Sequence, residues 1–313
     1  MASTAPAVPP SYVVDDDLHV SKVTFWTRLR RHKLAVAGMV VLALMILAAV
    51  FAGQLAPVDP NFIDNAHWQG TPLPPCFQDA SQCGGHSLGT DEVGRDLLSR
   101  LLFGARISLT VGLSAVVMEV IIGTILGAIS GYYGGWIDYV IMRVTDVFLS
   151  IPLLPLLLVL TAIVAASSTK ASLSFGVIVI IIGALSWPTV ARLVRASFLS
   201  LREREFAEAA RALGNSDRRI IFRHLLPNAV APIVVQATLD VAGVIITEST
   251  LSFLGLGIQP PTASWGNMLA NAQSNLSIAW WAAVFPGLCI LVTVLSINYM
   301  GDGLRDALDP NMR

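Results

Sequence analysis

Two carboxylic acids, Glu119 and Asp240, stand within long apolar stretches and are the residues best placed to do chemistry. Each lies near the midpoint of a segment long enough to cross a lipid bilayer. An ionisable group at that depth costs roughly 2.5–3.5 kcal/mol to insert, so it normally faces a polar interior. Two interpretations stay open: the acids line a route for a solute, or they form structural hydrogen bonds between helices.

The other reactive residues do not indicate a catalytic or metal site. The five histidines are scattered without metal-ligand spacing. None of the three lysines follows a glycine, which excludes a G-x-x-x-x-G-K-[ST] phosphate loop. Serines in the segments 127–131 and 167–170 superficially match two hydrolase patterns, but no predicted span contains a histidine to act as a base. We therefore expect no catalytic residue, metal or cofactor in this chain, and any ATP hydrolysis must occur on another protein.

The composition places the chain in a membrane. Of its 313 residues, 54% are hydrophobic and only 13% are charged, and the mean hydropathy is +0.67. Soluble proteins usually carry about 25% charged residues, and a soluble core of this size cannot hide so much apolar surface. The formal net charge of −1 argues against nucleic acid as a partner.

Apolar segments of about 20 residues predict an all-α membrane protein, because that length crosses a bilayer as a helix. Six segments qualify: 34–56, 106–131, 137–166, 173–193, 229–251 and 281–300. The first is too long for the core of a signal peptide, so we expect an uncleaved anchor.

Basic residues orient these six spans. On one side of the predicted membrane lie only Arg95, Arg100, Arg106 and Lys170, and the rest of the 20 lysines and arginines lie on the other side, with both termini. Cytoplasmic segments carry the excess of basic residues. Both termini are therefore predicted to be cytoplasmic. Residues 1–24 are expected to be disordered, and residues 25–33, with Trp26 and a basic cluster, to form an interfacial anchor.

The external loop 57–105 carries two further predictions. Thr90 is expected to cap an amphipathic helix that lies on the membrane or on the bundle, because leucines and Val93 follow it on one face. Cys76 and Cys83 lie close together on the oxidising side, which favours a disulfide over two free thiols.

On the second span, Gly123, Gly127 and Gly131 form a double G-x-x-x-G and predict close helix packing, within the bundle or against a partner.

The long cytoplasmic loop predicts two short helices joined by a glycine turn. Phe206, Ala209, Ala210 and Leu213 recur with helical spacing. Gly214 is suited to end that helix in a left-handed conformation, and Ser216 to cap the next. The small residues Ala209 and Ala210 would allow close approach of another surface.

This loop carries a specific resemblance. The pattern Glu208-Ala209-Ala210, three residues, Gly214, nine residues, then His224-Leu225-Leu226-Pro227 resembles the EAA signature of ABC importer permeases. It departs from the signature at His224, where many members have isoleucine. In that family the loop docks into a cleft on the ATPase subunit, so the resemblance implies coupling roles for Glu208, Ala209, Ala210, Gly214, His224 and Pro227.

Three other segments narrow the resemblance to one branch. The segments 88–109 (LGTDEVGRDLLSRLLFGARISL), 247–269 (TESTLSFLGLGIQPPTASWGNML) and 301–310 (GDGLRDALDP) are similar to the dipeptide, oligopeptide and nickel permeases. The chain most resembles the second, C-type, permease subunit of such systems. The implied architecture is a type I ABC importer permease: tail and anchor 1–33, first helix and external loop 34–105, and a five-helix core 106–313 with coupling loop 199–228.

The resemblance also implies partners and a location. It implies a homologous second permease, two ATPase subunits or domains that use ATP and Mg, and an extracytoplasmic solute-binding protein, at a bacterial inner membrane. Peptides are the expected cargo, with nickel or another small solute as the alternative. A secondary transporter driven by ion gradients would also suit Glu119 and Asp240, but it would leave the EAA-like loop without a purpose.

Overall fold

The computed structural model describes residues 29–30, 32–167 and 175–308 and is almost entirely helical over them. Its helices are α1 (Lys33–Val50), α2 (Ala52–Leu55), α3 (Leu97–Tyr133), α4 (Gly135–Ser150), α5 (Leu153–Ser167), α6 (Phe175–Leu201), α7 (Glu205–Ala212), α8 (Asp217–Ile220), α9 (Leu226–Phe253), α10 (Trp265–Ala272) and α11 (Trp280–Leu308). A π-helical turn, Ile221–Leu225, joins α8 to α9, and a 3₁₀ turn, Gln273–Asn275, follows α10. The predicted disordered tail and most of the predicted anchor lie outside the described residues.

Among the described residues, five helices are long and apolar enough to cross a membrane, or six if a bent pair counts as one span. The bent pair corrects the third predicted span, 137–166, which is not one straight helix. It divides into α4 and α5, which meet at 86°. Pro152 lacks an N–H for the helical ladder and disfavours the helical conformation at the preceding residue. Accordingly, Ile151 is extended, with φ −91° and ψ 127°.

Helix α3 merges two elements that the sequence analysis separated. Its 37 residues give a length of about 55 Å at 1.5 Å per residue. The predicted cap at Thr90 is wrong: Asp96 is the N-cap, and its carboxylate accepts a hydrogen bond from the Ser99 amide at 2.8 Å. Residues 90–96 instead form a tight turn, in which Asp91 Oδ1 accepts from the amides of Val93 and Arg95.

The glycines of the double G-x-x-x-G form a close seam between α3 and α6 within this chain. A Cβ built on Gly127 would lie 2.5 Å from the backbone oxygen of Ala191. On Gly123 and Gly131 it would lie 2.6 Å from side-chain atoms of Val190 and Phe198. The hydrophobic effect does not drive helices together in lipid, so van der Waals contacts from such close backbone approach stabilise the helix pair. The seam therefore fixes α3 against α6.

A loop layer, residues 56–96 and 254–279, covers the end of the bundle at which α3 and α11 begin. The Trp281 indole donates to the Thr90 oxygen at 3.1 Å, and the Trp265 indole donates to the Leu101 oxygen at 3.2 Å. The predicted pairing of Cys76 with Cys83 is present as a disulfide. These links tie the layer to α3 and α11.

A buried histidine connects the loop layer to the start of α3. The ring nitrogens of His86 lie 3.2 Å from Asp64 Oδ2 and 2.8 Å from Asp96 Oδ1. Burial would raise the pKa of the Asp64 carboxyl, but hydrogen bonds from His67 and His86, and from the amides of Ala66 and His67, hold that pKa below its ordinary value. Because Asp96 caps α3, the histidine joins the loop layer to that cap.

We predict that Gly127→Ala destabilises the protein although alanine is the better helix former. The added methyl group must push α6 away, and overpacking of this kind costs about 1–3 kcal/mol. Gly243→Ala is the matched control, because nothing lies within 4 Å of a Cβ at that mid-helix position. Thermal melting in detergent should show a lower Tm for Gly127→Ala and an equal or higher Tm for Gly243→Ala. Equal melting of both variants would contradict the seam.

We also predict that purified protein resists thiol labelling at Cys76 and Cys83 until it is reduced. Closing so short a loop contributes about 2–3 kcal/mol at most in the chain-entropy account. Mass spectrometry after alkylation, with and without reductant, measures this, and Cys289 serves as the internal free thiol. Full alkylation of Cys76 and Cys83 in unreduced protein would overturn the pairing.

Candidate functional site

The two intramembrane acids, which the sequence analysis treated separately, meet in the structure. Glu119 on α3 and Asp240 on α9 line one cavity between these packed helices, and their carboxyl groups are close enough to interact with each other. Gln236, one turn from Asp240, donates to Asp240 Oδ1 at 2.9 Å. The Glu119 residue is 2% exposed. The two side chains therefore form one acid pair at the contact between α3 and α9.

The acid pair has unused hydrogen-bonding capacity. Glu119 Oε2 and Asp240 Oδ2 are buried and accept no hydrogen bond from a donor in the described part of the chain. None of the ion pairs among the described residues involves either acid. Burial of an unpaired carboxylate is costly, and two carboxyl groups in one site do not both ionise readily. A proton or a cation would satisfy these two buried oxygens.

The acid pair lines a cavity of about 390 Å³, here called the acid cavity. Glu119 of α3, residues 185–189 of α6 and residues 240–247 of α9 form three of its walls, and the bent junction 148–153 forms the fourth. Irregular backbone at membrane depth is tolerated where it is buried in protein or lines a cavity. The break at Pro152 therefore belongs to this site.

Several residues of the acid cavity were not identified as site residues from the sequence. Pro152 and Pro188 both lie on its walls, with the hydroxyl-bearing Ser186, Thr189 and Thr247. The signal that could have found the α6 group is a short polar stretch, 186–189, inside an apolar run. A larger cavity of about 670 Å³ lies between α1, α3, α9 and α11, but the described residues that line it are mainly aliphatic and include no acid.

A second candidate site is the helical arm, residues 202–225. Helix α7 ends as predicted at Gly214, where φ is +74°, a conformation that glycine adopts without steric cost. Ser216 occupies the N-cap position of α8, although its side chain donates and accepts no capping hydrogen bond. The arm then continues through the π-helical turn into α9.

The π-helical turn explains how the helix passes Pro227. In an α-helix the proline ring would clash with the carbonyl four residues earlier, and its missing N–H would break the ladder. Here the Leu226 amide donates to the Ile221 oxygen, five residues back, which widens the turn before the proline. The helical path is consequently long and nearly uninterrupted, from Asp217 to Phe253.

The buried face of α7 differs from the predicted face. Ala207 and Ala210 are 0% and 4% exposed and pack in a cluster that includes Phe198 and Leu225. Ala210 therefore contacts its own chain and does not offer close approach to another protein, which corrects that part of the prediction. The reason is that the small pair Ala207 and Ala210 seats α7 on the bundle, and this turns the larger apolar residues outward.

The outward side of the arm carries three exposed large apolar side chains among charged residues. Phe206, Leu213 and Phe222 are 40%, 83% and 65% exposed. Glu208 and Ala209 are exposed beside them, as is Pro227, while His224 is partly buried. Large apolar side chains in a group on a surface mark a site of interaction.

The arm is attached to the same helices that carry the acid pair. The Tyr132 hydroxyl, at the end of α3, donates to Asp217 Oδ1 at 2.7 Å. Arg202 donates to the Gly131 oxygen at 3.2 Å. The arm also runs directly into α9 through the π-helical turn. A displacement of the arm would therefore move α3 and α9, and with them Glu119 and Asp240.

Two family models match the chain. Residues 123–313 match the model of the binding-protein-dependent transport system inner membrane component. Residues 23–75 match the N-terminal transmembrane domain of oligopeptide transport permease C. The second match ends within the loop layer, upstream of the core that the first match covers.

Several transport permeases are similar to this chain over nearly its whole length. The di/tripeptide transport system permease protein DppC of Pseudomonas aeruginosa is 41% identical over 99% of this chain and 97% of its own length. The dipeptide transport system permease protein DppC of Escherichia coli is 44% identical over 92% and 93%. The glutathione transport system permease protein GsiD of Shigella boydii is 42% identical over 92% and 90%.

Solved structures support the fold. The chain is similar to the inward-facing MetNI methionine ABC transporter with a TM-score of 0.53, at 19% identity, over 67% of this chain and 96% of that chain. It is similar to an amino acid ABC transporter with a TM-score of 0.51, at 18% identity, over 66% of this chain and 92% of that chain. At this level of identity the similarity establishes the type I importer fold alone.

Proposed function

This chain belongs to the family of binding-protein-dependent transport system inner membrane components, in its C-type dipeptide and oligopeptide branch, and we propose that it forms half of the path by which an ATP-driven importer carries short peptides. It is a multi-pass membrane subunit without catalysis of its own. Partner ATPase subunits bind ATP and Mg and hydrolyse the nucleotide. The site of action is a bacterial inner membrane.

The observation that carries the proposal is the similarity over 99% of the chain to a permease named for di- and tripeptides. The other similar proteins are named for dipeptides and for glutathione, which is itself a tripeptide. This agreement favours peptides over nickel or another small solute. A secondary transporter is not favoured, because it would leave the exposed apolar side chains of the arm without a function.

A homologous second permease completes the path. On α4, which leads into the cavity-lining junction 148–153, Val140, Val144 and Val147 are 41%, 44% and 53% exposed. A second permease that covers this surface would enclose the cavity between two subunits. An extracytoplasmic solute-binding protein delivers peptide to the loop-layer side. The uneven distribution of arginine supports cytoplasmic termini and a cytoplasmic arm.

The arm couples ATP hydrolysis to movement of the path. Phe206 and Leu213 dock on the ATPase, and rearrangement of that subunit displaces the arm. The contacts of Tyr132 and Arg202 pass the displacement to α3, and the continuous helix passes it to α9. Because α3 and α9 carry the acid pair, the cavity opens alternately to the two sides.

The transport proposal predicts ATP-dependent uptake of a dipeptide. The chain, co-purified with its partner permease and ATPases and reconstituted in proteoliposomes with its binding protein, should accumulate radiolabelled Ala-Ala only when ATP and Mg are present on the ATPase side. Ni²⁺ supplied in the same assay is the control for the alternative cargo. ATP-dependent accumulation of Ni²⁺ without peptide uptake would overturn the proposed substrate.

If the arm docks on the ATPase, the substitution Leu213→Glu should weaken binding of the ATPase subunit to this chain. Leu213 is 83% exposed in the isolated chain, so the change should not disturb folding. Its burial in an interface is worth about 1.5–3 kcal/mol, which corresponds to a loss of affinity of tenfold or more. ATPase recovered by affinity purification of the chain measures the effect. Phe77→Glu, at a 65% exposed site in the loop layer, is the matched control, and equal ATPase recovery with both variants would contradict docking through this face.

A further inference from the structure

The acid cavity contains acceptors that the described chain does not satisfy. Glu119 Oε2 and Asp240 Oδ2 accept no hydrogen bond, and Glu119 is almost completely buried at the cavity wall. Among the residues that the structure describes, no lysine or arginine lines the cavity. A ligand that enters it is therefore recognised best if it brings both a positive charge and N–H donors.

We propose that Glu119 and Asp240 together bind the N-terminal ammonium group of a peptide in transit, an inference that rests on the proposed function. An ammonium group has three N–H donors, which match the two unsatisfied oxygens and leave one for a hydroxyl. It also carries one positive charge. A carboxyl pair that shares a proton carries one negative charge, so the bound state is neutral inside a low-dielectric site where an unbalanced charge is costly.

The other polar groups of the cavity are less able to hold a cation. The hydroxyl of Ser186 donates to the Ile182 oxygen at 2.9 Å, and that of Thr247 donates to the Gly243 oxygen at 2.9 Å. Both hydroxyl oxygens can still accept a hydrogen bond, but neither carries a charge that would balance a cation. The acid pair is consequently the polar anchor, and the apolar walls near Phe148 and Leu185 remain for peptide side chains.

The geometry favours an ammonium group over a metal cation. The described residues contain no group of three or more His, Cys, Asp or Glu side chains that could hold a metal ion. Hard cations such as Mg²⁺ and Ca²⁺ require about six or more oxygen ligands. An ammonium group needs only a few directed acceptors, which the pair supplies.

Glu248 shows what a structural acid looks like in this fold. It is 0% exposed, and it accepts a hydrogen bond from Ser252 at 2.7 Å and another from Ser108 at 3.5 Å. It lies outside the acid cavity. Glu248→Gln is therefore the matched control for Glu119→Gln, since both exchange a buried intramembrane acid for its amide.

The first test measures access to the site without transport. In the assembled permease–ATPase complex, dicyclohexylcarbodiimide, which couples to carboxyl groups in apolar surroundings, should modify Glu119, as read by mass spectrometry. Ala-Ala in millimolar excess should reduce this modification, whereas N-acetyl-Ala-Ala, which lacks the ammonium group, should not. Equal protection by the two peptides, or no modification of Glu119 in their absence, would overturn the proposal.

The second test measures uptake. The double variant Glu119→Gln/Asp240→Asn should assemble normally and lose Ala-Ala uptake by about tenfold or more, the scale of charge-assisted hydrogen bonds, while Glu248→Gln keeps it. Normal uptake by the double variant would mean that the pair only shares a proton, and would overturn the inference. Failure of the wild-type complex to import Ala-Ala would overturn the proposed function instead, since peptide protection of Glu119 is measured without transport.

Discussion

The architecture of this permease depends on the close contact of α3 with α6 along three glycines. Lipid chains are as apolar as leucine side chains, so helices in a bilayer gain their cohesion from backbone proximity and dispersion contacts. The seam at Gly123, Gly127 and Gly131 supplies that proximity over about two helical turns of α3. Glu119 lies one turn from the first of these glycines. The seam therefore sets the position of one acid relative to the α6 wall of the cavity.

The second constraint is the cost of burying carboxylic acids. Glu248 meets it with serine hydroxyls, and Asp64 and Asp96 meet it with His86 in the loop layer. Glu119 and Asp240 meet it only in part, and they do so beside a cavity. Among these buried acids of the described chain, the pair that keeps unsatisfied oxygens is the one beside the proposed route of the cargo.

Helix α3 mechanically joins both ends of the molecule. At one end its N-cap, Asp96, is bound to His86 of the loop layer. At the other end Tyr132 contacts Asp217 of the arm. A rigid element of about 55 Å can thus relate events on the two faces of the membrane. The bent junction at Pro152 is the irregular element beside it, and it lines the cavity.

Much of this protein follows from its sequence. Apolar length, basic asymmetry and the EAA-like pattern predicted an all-α membrane protein of the importer permease family, because hydrophobic thickness and motif spacing are properties of the chain itself. The end of α7 at Gly214 was predictable for the same reason, since glycine adopts a left-handed conformation without steric cost. Predictions from local sequence were wrong where contacts with neighbouring elements determine the structure. Thr90 and Asp96 are both acceptable caps, and the turn at Asp91 selects the second. Either Ala209 with Ala210 or Ala207 with Ala210 could pack α7 against the bundle. Contact with the cluster around Phe198 selects Ala207 with Ala210.

Only the tertiary structure decided that Glu119 and Asp240 form one site. They are 121 positions apart, and helical periodicity carries no information about which distant helices touch. The same holds for Pro152 and Pro188, which the fold places on two walls of one cavity. The sequence by itself determined that two acids lie in the membrane, because burial of charge depends on local hydropathy. The fold determined that they face each other and a cavity, because that depends on how helices pack in three dimensions.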